Sequence, residues 1–249
     1  MGGMGVVVTK AILQSGADVI AIDRDAEPKD SQKEDLQRTA KSNGTIVAYY
    51  QCDIANLEST HAVFEEAVAS ARYPLRGLVN CAAIGWVGPT ISFSTEEAKR
   101  IIDVNLIGTL ICAQAAAQLV KKHSFSASFV FIASMSGYVV NKGTPNAAYA
   151  ASKAGVHQLT RNMASEWSST TEDGPSIRVN SVSPGVIRTP MTASVLSNSN
   201  FEKMWTEETM LKRLSVPEDY RGPIVFLLSD ASSYITGGDL LVDGGYTQW

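Results

Sequence analysis

The 249-residue sequence has few of the residues that build metal sites, disulfide frameworks or polycationic surfaces. It contains only three cysteines and three histidines. An odd number of cysteines cannot all pair in disulfides within one chain, and their spacing is not that of a zinc site. We therefore expect reduced, buried thiols. The 21 Lys and Arg and the 25 Asp and Glu give a net charge of −4. The one short cationic cluster, at residues 121–123, is too small to track a phosphate backbone, so nucleic acid is not an expected partner.

The sequence also has little that indicates a membrane protein. Its longest apolar stretch, residues 106–120, is interrupted by four small or polar residues: Gly108, Thr109, Gln114 and Gln118. Such a stretch predicts a packed helix rather than a membrane span. No secretory or transit signal is recognised at Met1. We therefore expect a cytoplasmic protein without a membrane partner.

Short β-type runs alternate regularly with helical patterns. The predicted strands cover residues 19–22, 45–51, 76–80, 128–132, 177–182 and 239–242. The predicted helices cover residues 6–15, 33–43, 57–70, 94–122, 147–168 and 218–228. This alternation predicts one α/β domain over residues 1–249, with a Rossmann-like, doubly wound parallel sheet. Residues 190–212 have no clear periodicity and follow a strand, so we expect them to cover a substrate.

The amino-terminal glycines predict a phosphate site. Gly3, Met4 and Gly5 lead directly into a helical pattern. A glycine-rich turn at a helix start brings backbone N–H groups to a pyrophosphate. Asp23 ends the next strand, 20 positions after Gly3, where a carboxylate can bind a ribose. A bare Gly-x-Gly is weak evidence, and a simple tight turn remains the alternative.

The strand that such a turn normally follows is missing from the sequence. In a doubly wound sheet that strand is central, and its apolar side chains contribute roughly 1.5–3 kcal/mol each. Two explanations stay open: a reading frame that begins downstream of the true start, which we favour, or a truncated and impaired form. A third arrangement closes the sheet directly between the strands at Val19 and Leu78.

Tyr149 and Lys153 are the strongest catalytic candidates. Their spacing of four places a phenol and an ammonium on one face of a helix, where the cation is expected to favour the phenolate. That pair suits a general acid/base in carbonyl–alcohol interconversion. Tyr138 and Lys142 have the same spacing, but Gly143 follows at once and opposes a helix. The alanine-rich stretch around Tyr149 favours one, so we prefer the second pair.

Two further residues could support this chemistry. Ser134 lies at the end of a predicted strand and can donate a hydrogen bond to a substrate oxygen. The alternative is a serine that merely ends the strand in a turn. Asn105 lies inside a predicted helix, where asparagine is mildly unfavourable. It could hold a water that relays protons to Lys153, or simply face solvent.

Taken together, these residues identify a family. The ordered set comprises Gly3-Met4-Gly5, Asp53, Asn80-Cys81-Ala82-Ala83, Asn105, Ser134, Tyr149-x-x-x-Lys153, Asn180, Pro184 to Thr189 and Ile235 to Gly245. It resembles the short-chain dehydrogenases/reductases along the whole chain, and its serine region is similar to fungal ketose and polyol reductases. Ala83 departs from the family pattern, which has a glycine where the cofactor approaches.

The resemblance implies a role for each matching residue. Tyr149 is implied as the acid/base, Lys153 as the residue that lowers its pKa and binds the nicotinamide ribose, Ser134 as the substrate-orienting group and Asn105 as part of a proton relay. The implied cofactor contacts are Asp53 with the adenine, Asn80 with the adenosine ribose, Ile187 with the carboxamide through its backbone, and Thr189 with a phosphate or the carboxamide. The resemblance also suggests a homotetramer.

Cofactor and substrate are less sharply defined. The carboxylate of Asp23 repels a 2′-phosphate and favours NAD, whereas Arg24 leaves NADP open. The expected substrate is a small alcohol or ketone, with a ketone of secondary metabolism as the alternative. A catalytically silent, nucleotide-binding or subunit-binding relative is the second hypothesis. An acyl hydrolase is disfavoured, because the three histidines have no apparent serine partner.

Overall fold

The computed structural model describes residues 1–169 and 175–249. Its strands are β1 (Val19–Asp23), β2 (Val47–Gln51), β3 (Gly77–Asn80), β4 (Ala127–Ile132), β5 (Ile177–Pro184) and β6 (Asp239–Val242). Its helices are α1 (Gly3–Gln14), α2 (Asp30–Asn43), α3 (Leu57–Ala69), α4 (Thr95–Ile102), α5 (Gly108–His123), α6 (Ala147–Trp167), α7 (Ala193–Leu196), α8 (Ser199–Glu208) and α9 (Arg221–Leu228). The predicted α/β class is confirmed, and each predicted strand and helix has a counterpart.

Two local predictions are wrong. Gly3, Met4 and Gly5 do not form a turn before the helix, since α1 already begins at Gly3. Residues 190–212 are not irregular, because they contain the short helices α7 and α8. Neither helix has the long apolar periodicity that makes a helix recognisable in a sequence.

All strands pair in parallel, but the sheet is in two pieces. One piece joins β1 to β2, and the other has the order β3-β4-β5-β6. Val19 pairs with Val47 in the first piece, and Leu78 pairs with Phe129 in the second. Direct closure between the strands at Val19 and Leu78 is therefore wrong, because within the described residues β1 and β3 are not hydrogen-bonded to each other.

Helices cover both faces of the larger sheet. On one face, buried alanines of α5, including Ala113 and Ala116, form a core with Phe129 and Val179. On the other face, α1 and α9 contribute Val8 and Ile224 to a second core with Val130 and Val182. A continuous helical stretch over Thr95–His123 is long and apolar enough to cross a bilayer by length and composition alone. It packs as a core helix here, as its interrupted pattern predicts.

Candidate active site

A cavity of about 1180 Å³ runs along β1 and β3 and reaches the carboxyl ends of the parallel strands β1, β3, β4 and β5. This is the edge at which α/β proteins bind their ligands. The cavity is lined by α1, by the residues that follow β3 and β4, by the start of α6 and by the loop after β5. It brings together residues that are far apart in the sequence, from Gly3 to Thr189.

Tyr149 and Lys153 lie together in this cavity. Both belong to α6, which begins at Ala147, so the spacing of four places them on one helix face. The Lys153 ammonium lies 5.7 Å from the centre of the Tyr149 ring. It is almost fully buried and donates a 2.6 Å hydrogen bond to the carbonyl of Ile132, at the end of β4. The strand end therefore holds the ammonium beside the phenol.

Burial dominates the titration of both groups in the protein alone. It raises the pKa of Tyr149, and a hydrogen bond with the Ser134 hydroxyl opposes this effect. Burial lowers the pKa of Lys153 to about 8. The pKa of Tyr149 in the protein alone is therefore raised, because loss of solvation outweighs this hydrogen bond. The lowering of that pKa by Lys153 stays a prediction.

Ser134 and Gly85 border Tyr149 inside the cavity. Ser134 is buried, and its hydroxyl accepts a 3.1 Å hydrogen bond from the Ser136 amide, which orients it. Gly85 follows β3 and packs against the phenol ring: a Cβ at this position would lie 2.9 Å from Tyr149 Cδ2. Sequence analysis did not identify Gly85. Its only signal was a glycine soon after a strand end.

Asn105 is buried and lies in a π-helical turn, Asp103–Ile107, between α4 and α5. Its side chain bonds to both backbone groups of Ile84, each at 2.9 Å, and donates a 3.0 Å bond to Ser152 on α6. It does not face solvent. It ties the loop that carries Gly85 to the helix that carries Tyr149.

The competing pair, Tyr138 and Lys142, lies outside the cavity lining. Tyr138 stacks on His157 with ring centres 4.1 Å apart. Lys142 forms a 2.6 Å ion pair with Glu208. The two groups follow a 3₁₀ turn, Met135–Gly137, and do not share an α-helix. The preference for Tyr149 and Lys153 is consistent with this geometry.

The amino-terminal cofactor candidates also line the cavity. Gly3, Met4 and Gly5 form the first turn of α1, whose N–H groups have no intrahelical partners. A Cβ on Gly3 would lie 3.6 Å from Pro190, so this helix end faces the loop after β5. Asp23 ends β1, and its carboxylate lies 3.8 Å from the amino group of Met1.

Asp53 and Asn80 lie in the same cavity but differ in their surroundings. Burial raises the pKa of Asp53, but hydrogen bonds from Arg100 and from the Ala55 amide outweigh it, and the pKa is lowered. Asn80 is buried and donates a 2.7 Å hydrogen bond to Thr109. Arg100 was not identified from the sequence, because only the fold brings it to Asp53.

Ile187 and Thr189 form the opposite wall of the cavity. The Ile187 carbonyl accepts a hydrogen bond from Thr192, and the Thr189 amide donates one to the same hydroxyl. Met191, Thr192 and Trp205, from residues 190–212, also line the cavity. The position of residues 190–212 against the cavity is consistent with a segment that covers a substrate.

One sequence inference about histidine is wrong. His157 does have a serine partner, since its Nε2 lies 2.8 Å from the Ser183 hydroxyl. The same hydroxyl donates to Asp239 at 2.9 Å. Ser183 is fully buried, and neither Ser183 nor His157 is among the residues that line the cavity, so this pair presents no nucleophile to the cavity. The hydrolase hypothesis therefore fails through burial, not through the lack of a base.

Comparison with known proteins shows which family this chain belongs to. A family model described as enoyl-(acyl carrier protein) reductase matches residues 1–247. A short chain dehydrogenases/reductase of Aspergillus versicolor, notP', is 42% identical over 100% of this chain and 85% of its own length. This chain belongs to the short-chain dehydrogenases/reductases. As a member of that family, it is an oxidoreductase that acts on CH–OH donors with NAD or NADP.

Two further similar proteins support the assignment of this chain to the short-chain dehydrogenases/reductases. The NADH-dependent L-xylulose reductase of Ambrosiozyma monospora is 35% identical over 100% of this chain and 92% of its own. The crystal structure of a short-chain type dehydrogenase/reductase from Mycobacterium marinum superposes with a TM-score of 0.89 at 30% identity. It covers 99% of this chain and 92% of the other. The predicted family and fold are confirmed.

Proposed function

We propose that this short-chain dehydrogenase/reductase interconverts a small secondary alcohol and its ketone, with Tyr149 as the acid/base. The observation that carries the proposal is the placement of Tyr149 and Lys153 on one face of α6. There they line the same cavity as Ser134 and the first turn of α1.

The cavity fits a nicotinamide dinucleotide. It joins a helix start with free N–H groups, suited to a pyrophosphate, to a carboxylate at the end of β1, suited to a ribose. We assign Gly3, Met4 and Gly5 to the pyrophosphate and Asp23 to the adenosine ribose. Following the family pattern, Asp53, Asn80, Ile187 and Thr189 contact the remaining parts, and Tyr149 and Lys153 flank the nicotinamide ribose. When bound, the cofactor supplies or accepts the hydride.

The side chains of this protein handle the proton. In ketone reduction, the neutral phenol of Tyr149 donates its proton to the substrate oxygen, and in alcohol oxidation the phenolate takes it back. Ser134 donates a hydrogen bond to the same oxygen and stabilises its developing charge. Lys153, held by the Ile132 carbonyl, stabilises the phenolate that reduction leaves behind. Asn105 positions α6 and, in this proposal, completes the proton relay.

We infer NAD as the preferred cofactor and a polyol or ketose as the substrate. Asp23 at the end of β1 carries the cofactor preference, because its charge repels a 2′-phosphate. Arg24 keeps NADP possible as a second cofactor. The name of the L-xylulose reductase relative supports a sugar substrate. The notP' relative leaves a ketone of secondary metabolism as the alternative substrate.

Replacing Tyr149 tests the acid/base role. Tyr149→Phe removes the proton but keeps the ring, so turnover of the best alcohol or ketone should fall by about 10²–10⁴-fold while NADH binding persists. Absorbance of NADH follows turnover across sugars, polyols and cyclic ketones, and NADH fluorescence follows binding. Tyr138→Phe is the matched control and should keep its activity. Retention of most activity by Tyr149→Phe would refute the assignment.

A second candidate function is nucleotide or subunit binding without turnover. The divided sheet favours this alternative. β1, which carries Asp23, is not hydrogen-bonded to the larger piece of the sheet, and that piece contains β4, whose end holds Lys153 beside Tyr149. NADH binding by the unsubstituted chain with no turnover of any tested substrate would favour this alternative.

Four further properties complete the proposal. Residues 1–249 act as one domain, and residues 190–212 cover the substrate. The protein assembles as a homo-oligomer, with a homotetramer as the expected form, and works in the cytoplasm. Activity after deletion of residues 194–204 tests the cover, and size measurement in solution tests the oligomer.

A further inference from the structure

A buried polar cluster outside the cavity joins three elements of the fold. His157 lies on α6, Ser183 lies near the end of β5, and Asp239 is the first residue of β6. His157 and Ser183 are buried, and the side chain of Asp239 is only 9% exposed. Polar groups in such a position cost free energy unless they are hydrogen-bonded, so their hydrogen bonds decide how the cluster is arranged.

These hydrogen bonds run in one direction. The hydroxyl of Ser183 has a single proton, which it donates to Asp239 Oδ1 at 2.9 Å. It must therefore accept the 2.8 Å hydrogen bond that joins it to His157 Nε2, so His157 carries a proton on Nε2. Burial lowers the pKa of His157, and the charge of Asp239 opposes this effect. The imidazole is thus neutral near pH 7, with its Nδ1 unprotonated.

The remaining surface of the imidazole contacts the turn that carries Ser134. We call residues 134–138 the serine turn. A Cβ on Gly137 would lie 2.7 Å from His157 Cε1 and 3.0 Å from His157 Nδ1, so the backbone of the turn packs directly on the ring. Tyr138 stacks on the same imidazole, with ring centres 4.1 Å apart. Phenylalanine would keep this ring contact, so it does not depend on the Tyr138 hydroxyl.

The serine turn in turn holds Ser134. The Ser136 amide donates to the Ser134 hydroxyl at 3.1 Å, and the Gly137 amide donates to the Ser134 carbonyl at 3.0 Å. Both bonds tie Ser134 to the residues that rest on His157. Because His157 and Tyr149 belong to the same helix, α6, the imidazole fixes the serine turn relative to the helix that carries the phenol.

We propose that His157 is a positioning residue for hydride transfer. Its imidazole, held by Ser183 and Asp239, fixes the serine turn so that the Ser134 hydroxyl points at the substrate oxygen beside Tyr149. His157 acts through packing and one directed hydrogen bond, without contact to substrate or cofactor. This inference rests on the proposed function, in which Ser134 donates a hydrogen bond to the substrate oxygen.

Ser181 and Ser183 provide a matched pair of variants. Both are fully buried on β5, and both donate a hydrogen bond to Asp239 Oδ1. Within the described residues, only Ser183 also bonds to His157. Ser181→Ala and Ser183→Ala therefore remove the same group from the same carboxylate, but only Ser183→Ala releases the imidazole.

The first measurement is steady-state turnover of the best ketone with NADH, for each variant alone and combined with Ser134→Ala. Loss of a donor to a developing oxyanion costs about 10²–10³-fold in kcat, which limits any effect that acts through Ser134. A loosened donor should lose less, so we expect Ser183→Ala to lower kcat by about tenfold, with the KM for NADH unchanged, and Ser181→Ala to change kcat by less than about twofold. In the Ser134→Ala background, Ser183→Ala should have no further effect, since residues that act through each other are not additive.

The second measurement is amide hydrogen exchange by NMR, without substrate. The amides of residues 137–139 are bonded inside the serine turn, to the carbonyls of residues 134 and 135. Ser183→Ala should speed their exchange by about tenfold through local opening, whereas Ser181→Ala should leave it unchanged. His157→Phe keeps a ring but loses the bond to Ser183, so it should match Ser183→Ala and replaces that variant if Ser183→Ala does not fold.

Three results would overturn the proposal. One is unchanged exchange at residues 137–139 in a folded Ser183→Ala protein, whatever its activity. Another is an equal loss of kcat with and without the Ser134 hydroxyl, and the third is an equal effect of the Ser181 and Ser183 variants. If the unsubstituted chain turns over no substrate, or if Ser134→Ala is fully active, the proposed function fails instead. The exchange measurement then decides alone whether His157 holds the serine turn.

Discussion

Substituting Gly85 by alanine should damage catalysis without touching any ionisable group. The added Cβ would lie 2.9 Å from Tyr149 Cδ2, whereas ordinary contacts are 3.4–4 Å. The phenol ring must therefore move by about 0.5–1 Å to restore a normal contact. Misplacement of a reacting group by about 1 Å costs on the order of 10²-fold in rate. We expect kcat/KM to fall by about that factor, equivalent to about 3 kcal/mol.

The same loop provides a matched control. Alanine at Gly88 would bring a Cβ to 3.0 Å from Phe93 Cδ2, a similar crowding against a ring that does not react. Both variants should lose at most about 1–3 kcal/mol of stability, measured by denaturant unfolding. Only Gly85→Ala should lose turnover while it still binds NADH. Equal activity of the two variants would show that the position of the Tyr149 ring does not limit the reaction.

Two other predictions follow from the charges of the site. Burial holds the pKa of Lys153 at about 8, below its value in the unfolded chain. Between about pH 8 and 10.5 the unfolded chain therefore binds one more proton than the folded protein, and the free energy of unfolding should rise with pH by about 3 kcal/mol. Lys153→Met should lack this rise, and a pH-independent difference between the two proteins would contradict the burial. Asp23→Ser removes the charge that repels a 2′-phosphate, so the NADP to NAD ratio of kcat/KM should rise by about tenfold or more; an unchanged ratio would exclude Asp23 from the ribose site.

Much of the fold could be predicted, because its elements have strong local signals. Continuous apolar runs marked the buried parallel strands, and the alanine-rich stretch marked α6 with Tyr149 and Lys153. Their common cavity followed from the rule that parallel strands end at one edge. The family motifs then identified Ser134 and the cofactor candidates.

The features that were missed depend on contacts between residues that are far apart in the sequence. Ser183 and His157 are 26 residues apart and meet only because β5 packs on α6. The pKa of Tyr149 is raised by burial, and the spacing of Tyr149 and Lys153 in the sequence does not predict how deeply the phenol is buried. The start of α1 was placed too late, since glycines have low helix propensity. The sequence left direct closure between β1 and β3 open, and only the pairing of the strands decided against it.

The pH dependence of hydride transfer tests the central claim most directly. In a single turnover, the protein is loaded with NADH, mixed with its best ketone, and followed by the loss of NADH absorbance. Reduction needs the protonated phenol, so the rate should be constant near neutral pH and fall as pH rises through the pKa of Tyr149. In Tyr149→Phe the rate should be low and should lack this fall. The same fall with pH in Tyr149→Phe would show that another group supplies the proton.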